Sequence, residues 1–277
     1  MPTLAVTGVT GRLGRRVADR LVAAGLSPRL LVRDPTRAPS LPRCDVAVAT
    51  YSDGEAVRRA LEGIDVVLMV SGAEAPDRVA HHRTFVEGAA AAGVSHLVYT
   101  SFVGAGPEAT FTLARDHGAT EDHIRASGVR WTFLRDALYL DFFPLLAGTD
   151  GVIRGPAGDG RVAAVAQDDI ADVAAAVLRD PQVHTGRTYD LTGPEALSLD
   201  EVAARLTAAT GRPVAYERET VDEAYASRAS YGAPDWQVEA WVSTYLAIAT
   251  GELAAVSDDV ERITGHRARS VDDLFGA

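Results

Sequence analysis

Three glycines near the amino terminus constrain the fold more than any other feature of this sequence. Gly8, Gly11 and Gly14 lie between a short apolar run, Leu4–Thr7, and an amphipathic stretch, Leu13–Ala24. In a strand–turn–helix unit, the first glycine permits a tight turn, the second lets the backbone approach a pyrophosphate, and the third lets helix and strand pack closely. The sequence therefore predicts a dinucleotide site at the N-terminus of the first helix.

Short apolar runs alternate with amphipathic segments through the first half of the chain, which is the pattern of consecutive βαβ units. The predicted strands are Leu4–Thr7, Arg29–Val32, Val46–Ala49, Val66–Val70, His96–Thr100 and Trp131–Leu134. The predicted helices are Leu13–Ala24, Glu55–Leu61, Arg78–Ala92 and Ala119–Ala126. These elements predict an α/β fold in which residues 1–150 form a Rossmann-like, NAD(P)-binding domain, with a six-stranded parallel sheet flanked by helices.

The spacing of elements changes after residue 150, and residues 151–277 are expected to form a smaller, mixed α/β substrate lobe. Part of this segment, residues 162–192, is expected to return to the core through strands at Val162–Ala166 and Thr188–Leu191. Ser198 and Glu201 have the spacing of a capping box, which predicts a helix that continues to about Thr210.

Composition limits the partners of the protein. The formal net charge is -11 at pH 7, so the surface as a whole repels nucleic acid and anionic membranes. Cys44 is the single cysteine, which excludes an intramolecular disulfide and a cysteine metal cluster. No signal-peptide pattern begins the chain, and no apolar run reaches the roughly 20 residues of a membrane span. We expect a cytoplasmic protein with no nucleic-acid, membrane or metal partner, and a homodimer remains one option.

The residue after the second predicted strand distinguishes the two nicotinamide cofactors. A carboxylate there binds the free ribose hydroxyl of NAD, whereas an arginine accommodates the 2′-phosphate of NADP. That residue is Arg33, and Arg12 and Arg37 can add positive charge to the same site. The sequence therefore favours NADP(H). NAD(H) stays an alternative, because an ion pair between Arg33 and Asp34 would leave Asp34 to bind the ribose.

Several short motifs beyond the glycine loop give the chain a resemblance to a known family. They are spread over most of its length: Thr7–Gly14, Leu31–Pro35, His82-Arg83, Ala92–Val94, Leu97–Ser101, His117 with Glu121, and Gly155–Gly160. With this set, the sequence resembles the atypical short-chain dehydrogenase/reductases of the NmrA-like group, especially bacterial type 2 NAD(P)H:quinone oxidoreductases and triphenylmethane reductases.

The resemblance implies a position for each part of the cofactor. The glycine loop is expected to surround the pyrophosphate through Gly8, Thr10, Gly11, Arg12, Leu13 and Gly14. Arg33 is expected at the 2′-phosphate, and the ribose and adenine are expected beside Val70, Ser71 and Gly72. The nicotinamide is expected near Thr100, Ser101, Phe102 and the segment from Leu134 to Tyr139. Two positions depart from the family pattern, since Thr50 replaces an adenine-binding Asp and Asp136 replaces a common Asn.

The absence of lysine from the sequence, in which all 27 basic residues are arginine, bears on catalysis. Conventional members use a Tyr-x-x-x-Lys pair, in which the lysine lowers the tyrosine pKa. The related reductases instead deliver hydride directly to an electron-poor acceptor, which implies here an NADPH-dependent reductase of a quinone or similar aromatic. The alternative is a non-catalytic NAD(P)-binding redox sensor of the NmrA type. A nucleotide-sugar epimerase is disfavoured, because that chemistry commonly relies on the missing pair.

Three side chains are candidates for catalytic roles: Ser101, His117 and Tyr139. His117 can donate a proton, or it can hold a loop or the cofactor through hydrogen bonds. Tyr139 can reach over the substrate or belong to the ordinary core. Ser101 lacks the glycines of a nucleophile elbow, so a hydrogen bond to the nicotinamide or the substrate is favoured over a nucleophilic role.

Overall fold

The computed structural model describes residues 2–276 as an α/β protein. The strands are β1 (Leu4–Val6), β2 (Arg29–Val32), β3 (Val46–Val48), β4 (Val66–Met69), β5 (His96–Phe102), β6 (Arg130–Asp136), β7 (Val152–Gly155), β8 (Arg161–Val162), β9 (Arg187–Leu191), β10 (Leu197–Ser198) and β11 (Ala215–Arg218). The helices are α1 (Arg12–Ala23), α2 (Gly54–Ala60), α3 (Arg78–Ala91), α4 (Thr112–Ala126), α5 (Phe143–Leu146), α6 (Gln167–Arg179), α7 (Leu199–Thr210), α8 (Val221–Arg228), α9 (Asp235–Ala249), α10 (Asp259–Thr264) and α11 (Val271–Phe275). Within these residues, no helix is both long enough and apolar enough to cross a membrane.

The main sheet has seven strands in the order β3-β2-β1-β4-β5-β6-β9. β1 pairs in parallel with β2 on one side and with β4 on the other, so that Val6 lies opposite both Leu30 and Leu68. The strand order therefore reverses direction between β1 and β4. In sheets of this type, ligands bind outside the carboxyl ends of the strands at such a reversal, which is where the glycine loop begins.

The chain divides into two compact units, and each takes residues from several parts of the sequence. The first holds the residues up to Phe102 together with Asp116–Arg135 and Ile170–Tyr189. The second holds Val103–Arg115, Asp136–Asp169 and the residues from Asp190 onward. From the sequence we expect a boundary at residue 150 with residues 162–192 returning to the core; Ile170–Tyr189 does lie in the first unit, but Val103–Arg115 and Asp136–Asp169 also lie in the second.

Burial in the first unit follows the sheet. Every residue of β4 and β5 is buried, as expected for central parallel strands that are covered on both faces. Helices α2 and α3 pack against one face, and the largest side chains of that core are Phe85, Tyr99, Phe133, Leu61, Leu97 and Met69. Tight helix packing is possible because Gly88 of α3 faces Val57 of α2, where a Cβ would approach to 2.9 Å.

Two small sheets, together with helices α5 and α7 to α11, lie in the second unit. β11 pairs in parallel with β7, and β10 pairs antiparallel with β8. The predicted capping box is confirmed, because Ser198 and Glu201 cap the N-terminus of α7, which ends at Thr210. The predicted strand Val162–Ala166 is wrong in extent, since the ladder is limited to β8 and Val165 makes an isolated bridge to Tyr139.

Two further predictions are corrected by the structure. The main sheet has seven strands rather than six, because β9 joins β6 at its edge. α4 begins at Thr112 rather than at Ala119. The sequence places that start too late because Gly118, a poor helix former, stands in the middle of the true helix.

Candidate cofactor-binding site

The glycine loop is shaped by contacts that leave no room for side chains. Gly8 has a φ of +67°, the left-handed region that favours glycine, and a Cβ there would lie 3.0 Å from Cβ of Val70. A Cβ on Gly14 would lie 2.5 Å from the carbonyl carbon of Gly8. Gly11 closes the turn by donating its N–H to the Gly8 carbonyl at 2.9 Å. The loop therefore exposes backbone where a sequence without these glycines would expose side chains.

Helix α1 begins directly after this loop with its first turn available to an anion. Gly11 is the N-cap, and no side chain in the described part of the chain caps the helix there. The first turn contains no acidic residue. Thr10 and Arg12 are exposed, whereas Leu13 is buried and anchors the helix to the sheet. Backbone N–H groups at a helix start, together with the helix dipole, suit a phosphate.

A ring of three hydrogen bonds ties the end of β1 to the end of β4 through Tyr51. The Tyr51 hydroxyl donates to the Val70 carbonyl at 2.6 Å, and the Val70 N–H donates to Thr7 Oγ1 at 2.9 Å. Because the tyrosine proton is used in this way, the Thr7 hydroxyl must donate to Tyr51 across their 2.6 Å separation. Burial raises the pKa of Tyr51 above its usual value, so the Tyr51 side chain stays neutral.

Arg33 follows β2 and is exposed, as are Arg12 and Arg37. Among the described residues none of the three forms an ion pair with a carboxylate. The neighbouring carboxylate of Asp34 instead accepts from the N–H of Thr36 at 2.9 Å and from its hydroxyl at 2.7 Å. These bonds lower the pKa of Asp34 and hold it in the turn Pro35–Arg37. The arrangement favours a phosphate at Arg33 over the Arg33–Asp34 pair that would suit NAD(H).

In the loop after β4, buried side chains bond both backbone groups of one residue, Gly72. The Gly72 N–H donates to His82 Nε2 at 2.9 Å, and the Gly72 carbonyl accepts from Arg78 Nε at 3.0 Å. The N–H of Ser71 donates to Thr100 Oγ1 at 2.8 Å. Burial, reinforced by the charge of Arg78, lowers the pKa of His82 to about 3. His82 is therefore a neutral acceptor, and it holds the loop in place.

His117 belongs to the same buried network. An Arg78 guanidinium N–H donates to His117 Nε2 at 2.9 Å. Since arginine has no acceptor, the proton of the ring is on Nδ1, which donates to the Tyr99 hydroxyl at 2.9 Å. Burial lowers the pKa of His117 well below its usual value. This geometry favours the hydrogen-bonding role of His117 over proton donation, although its role stays a prediction.

Ser101 is engaged with a buried carboxylate. Its hydroxyl donates to Glu121 Oε1 at 2.7 Å. Arg135 holds the same carboxylate with two hydrogen bonds, of 2.8 Å and 2.7 Å. The Ser101 proton is therefore already used, and its oxygen can only accept a further hydrogen bond. This suits a partner that donates, such as the carboxamide of a nicotinamide.

Tyr139 lies in the second unit, where it contacts Asp136. The Tyr139 hydroxyl and Asp136 Oδ2 are 3.0 Å apart, and the ring of Phe142 meets the Tyr139 ring edge-on. Asp136 is 1% exposed, and its Oδ1 has no hydrogen-bond partner among the described residues. Burial raises the pKa of Asp136 well above its usual value, and the Tyr139 hydrogen bond opposes this only in part.

The structure brings the predicted cofactor residues of the first unit to the carboxyl ends of successive strands. The glycine loop follows β1, and Arg33, Thr50 and Val70 follow β2, β3 and β4. Four further residues lie within the ends of β5 and β6: Thr100, Ser101 and Phe102 on the first and Leu134 on the second. Phe102 stacks on the His117 ring at 6.2 Å between centroids.

Two residues of this site are missed by sequence reasoning. Tyr51 joins two strand ends, and its one local signal is its position next to Thr50 after the third strand. Arg78 contacts both Gly72 and His117, yet nothing in its own neighbourhood marks it as a buried arginine. Buried arginines are rare in soluble proteins, so an interior position could not be assumed for one.

The sequence pattern that defines proteins described as NAD(P)H-binding matches residues 8–181. The match starts at Gly8 and continues past β6, which covers the glycine loop and the strand ends described above. The chain belongs to the NAD(P)H-binding family. The resemblance indicated by its motifs is thereby confirmed at the level of the family.

Solved structures of two reductases match the chain over almost its whole length. The NADPH-dependent quinone oxidoreductase of Escherichia coli, complexed with NADPH, has a TM-score of 0.91 at 31% identity, covering 99% of this chain and 98% of that one. Triphenylmethane reductase of Citrobacter sp., complexed with NADP(H), has a TM-score of 0.87 at 32% identity, covering 99% of each chain. The Rossmann-like fold is therefore confirmed.

Two other proteins are similar to the chain to different degrees. A Streptomyces griseus (4-alkanoyl-5-oxo-2,5-dihydrofuran-3-yl)methyl phosphate reductase is 38% identical over 97% of this chain and 95% of its own length. The negative transcriptional regulator NmrA, solved with NAD, has a TM-score of 0.78 at 19% identity, covering 99% of this chain and 94% of that one. At that level of identity the likeness to NmrA shows a shared fold alone.

Proposed function

We propose that the protein is an NADPH-dependent reductase that delivers hydride to a quinone or a similar electron-poor aromatic acceptor. The observation that carries the proposal is the start of α1, which no side chain in the described chain caps, together with three exposed arginines, Arg12, Arg33 and Arg37, that form no ion pair there. Whole-length similarity to a quinone oxidoreductase and a dye reductase supports the acceptor class. The net charge of -11 and the single cysteine support a cytoplasmic enzyme without a nucleic-acid partner.

The first unit supplies the parts that would hold NADP(H). Backbone N–H groups at the start of α1 suit the pyrophosphate, and the Arg33 guanidinium suits the 2′-phosphate through a forked pair of hydrogen bonds. The Ser71-Gly72 loop, fixed by Arg78 and His82, offers a rigid wall for the ribose. On the adenine side, Thr50 stands where the related reductases have an Asp.

Catalysis in this proposal depends on positioning, because the sequence has no lysine for a Tyr-x-x-x-Lys pair. When bound, the cofactor supplies a hydride. Ser101, with its proton donated to Glu121, accepts a hydrogen bond and orients its partner. His117 stays neutral and holds Arg78 and Tyr99 in place. An electron-poor acceptor held face to face with the donor needs little further activation.

Steady-state oxidation of NADPH with a small acceptor panel tests this proposal. The panel contains menadione as quinone, crystal violet as cationic dye and an acylated unsaturated lactone, which represents the substrate class of the Streptomyces relative. We expect turnover with the quinone and the dye. Tight NADPH binding without turnover on any acceptor would instead support a redox sensor. Turnover with the lactone alone would show that the acceptor is a lactone and not a quinone or dye. Absence of NADPH binding would overturn both the reductase and the sensor proposals.

A further inference from the structure

Two layers of buried side chains, both in the first unit, hold the backbone of Gly72 in the loop after β4. The first layer is on α3, where His82 Nε2 accepts from the Gly72 N–H and Arg78 Nε donates to the Gly72 carbonyl. Arg78 and His82 are four residues apart, so they face the loop from the same side of the helix. The second layer is on α4, where His117 bonds Arg78 and Thr120 bonds His82, each at 2.9 Å. The loop is therefore tied to two helices through one residue.

The branch through His82 uses every proton along it. Because the ring accepts from Gly72 at Nε2, its own proton is on Nδ1 and is donated to Thr120 Oγ1. The Thr120 hydroxyl donates in turn to the Asp116 carbonyl at 2.8 Å. The direction of each hydrogen bond is thus determined, and the branch ends on the backbone of α4.

Arg78 begins the other branch and is a buried cation that depends on His117. It is 5% exposed, and its one ion pair in the described part of the chain, with Asp116 Oδ2, is 3.4 Å long. His117 Nε2 is a closer acceptor, at 2.9 Å. A buried donor that loses its acceptor costs more free energy than the hydrogen bond contributes. Loss of the His117 acceptor therefore favours a shift of Arg78 toward another acceptor and away from the Gly72 carbonyl.

Both ring nitrogens of His117 are bonded inside the protein. Nε2 accepts from Arg78, and Nδ1 donates to the Tyr99 hydroxyl at 2.9 Å. Burial, reinforced by the charge of Arg78, lowers the pKa of His117 well below its usual value. Donation of the ring proton to a ligand would break the bond to Tyr99. A contribution of His117 to function therefore passes through its two partners.

We propose that His117 is a positioning residue that sets the affinity for NADP(H) by holding Arg78 against the Gly72 carbonyl. The inference rests on the proposed function, in which the Ser71-Gly72 loop lies beside the ribose and adenine. That loop follows β4, next to the reversal of strand order at which doubly wound sheets bind ligands. A loop that is already held in its bound conformation loses less entropy on binding, which raises affinity. His117 acts on binding through Arg78 and contacts neither the cofactor nor the acceptor.

Two amide side chains of different length separate the two bonds of His117. The carboxamide of Asn ends at the place of Nδ1, so His117→Asn keeps a donor for Tyr99 but brings no acceptor to Arg78. The longer carboxamide of Gln extends to the place of Nε2, so His117→Gln keeps an acceptor for Arg78. Neither amide can act as a general acid, because a carboxamide does not titrate near neutral pH. His123→Asn is the matched control, since His123 is on the same helix and lies against Glu87, outside this network.

Calorimetric titration with NADPH and with 2′-phospho-ADP-ribose, the cofactor without its nicotinamide, tests the effect on binding. We expect His117→Asn to weaken both by about 10-fold, the lower end for one hydrogen bond to a charged group. His117→Gln and His123→Asn should bind both ligands as the wild type does. Unchanged affinity in His117→Asn, or an equal loss in His117→Gln, would overturn the inference. A loss confined to NADPH would also overturn it, because the fragment retains the ribose and adenine that meet the loop.

Steady-state reduction of menadione separates positioning from proton donation. His117→Asn should raise the KM for NADPH and leave kcat at saturating NADPH unchanged, whereas His117→Gln should match the wild type in both. Loss of a proton donor would instead lower kcat in both amide variants, by about 100-fold or more, with little change in KM. That second pattern would overturn the inference. His117→Gln decides this point even if His117→Asn does not fold.

Arg78→Lys tests whether His117 acts through Arg78. Lysine retains the charge but lacks the planar fork of donors that bonds two acceptors at once, so this variant should also bind NADPH more weakly. His117→Asn should then add little, because the link that it removes is already broken. Losses that add fully in the double variant would contradict a shared path.

The outcomes separate this inference from the function on which it rests. A wild type that binds neither NADPH nor the fragment overturns the proposed function and the inference with it. A wild type that binds NADPH and reduces menadione, together with unchanged affinity in His117→Asn, overturns the inference alone.

Discussion

We propose that the exposed guanidinium of Arg33 distinguishes NADPH from NADH. Arg33→Asp should weaken NADPH binding by about 10- to 100-fold, because a charge-assisted hydrogen bond contributes about 1.5–3 kcal/mol. The effect on NADH should be much smaller, since NADH has no 2′-phosphate. Calorimetric titration of both cofactors measures the difference. Arg83→Asp, an exposed arginine on α3, is the control for net charge, and equal losses for both cofactors would contradict the assignment.

Asp136 should make the stability of the protein depend on pH in a defined direction. Its pKa is raised in the folded protein above the value of about 3.9 expected in the unfolded chain. The stability gained from the bound proton is therefore full below the unfolded value and is lost as pH rises through the folded value. Urea denaturation should show that Asp136→Asn gains stability relative to the wild type at mildly alkaline pH compared with mildly acidic pH. A difference that does not change with pH would contradict the prediction.

Sequence reasoning reaches the residues whose role has a local cause. The conformations of Gly8 and Gly14, and the exposure of Arg33, follow from their places at strand ends. Tyr51 and Arg78 are not predictable in this way, because their partners Thr7 and His117 are 44 and 39 positions away in the sequence. The burial of Asp136 is likewise a tertiary effect, although its departure from the family pattern marks the position.

At the scale of the element, the contact between β1 and α1 depends on Gly14. A Cβ there would lie within 2.6 Å of backbone atoms of Thr7 and Gly8, which cannot move without opening the loop. Gly14→Ala should destabilise the protein by about 1–3 kcal/mol, the usual range for overpacking, and should weaken NADPH binding. Denaturant unfolding and a cofactor titration measure the two effects.

The matched control for that change is Gly106→Ala. A Cβ on Gly106 would meet nothing closer than 3.9 Å, so the free energy of unfolding should change by less than about 0.5 kcal/mol. A similar loss at both positions would show that the close approach at Gly14 does not limit the loop.

Element boundaries can be predicted from the sequence where capping residues are present. The prediction fails where tertiary contacts determine the boundary. α7 is predicted at both ends because Ser198, Glu201 and Gly211 are local signals. α4 extends through Gly118 against its propensity, since its buried face carries His117, Thr120 and Glu121, each hydrogen-bonded to another element. Tertiary packing overrides propensity in such cases.

At the scale of the whole molecule, NADPH should act as a stabilising ligand. A ligand that binds the folded state alone adds about 2.7 kcal/mol at a concentration 100 times its Kd. We therefore expect NADPH to raise the Tm, and NADH at the same concentration to raise it less. Thermal unfolding followed by fluorescence measures both shifts. Equal shifts would contradict the preference for NADPH, and no shift with either would contradict cofactor binding.

The class of the fold is predictable from the alternation of strands and helices, but its division into units is not. The periodic pattern shows which segments are strands, whereas it does not show that β9 joins β6 after an interval of about fifty residues. Long-range strand pairing depends on which surfaces remain uncovered once the local units have formed. The predicted boundary at residue 150, with residues 162–192 returning to the core, therefore does not foresee that Val103–Arg115 and Asp136–Asp169 lie in the second unit.

The hydrogen bond from the Gly72 N–H to His82 Nε2 offers a way to follow this loop in solution. The amide proton lies between two nitrogen atoms 2.9 Å apart, so isotope-labelled protein should show a scalar coupling across that bond in nuclear magnetic resonance spectra. Its resonance would identify one glycine by its bonding partner rather than by sequential assignment. That resonance would then report, during turnover, whether the hydrogen bond between Gly72 and His82 breaks.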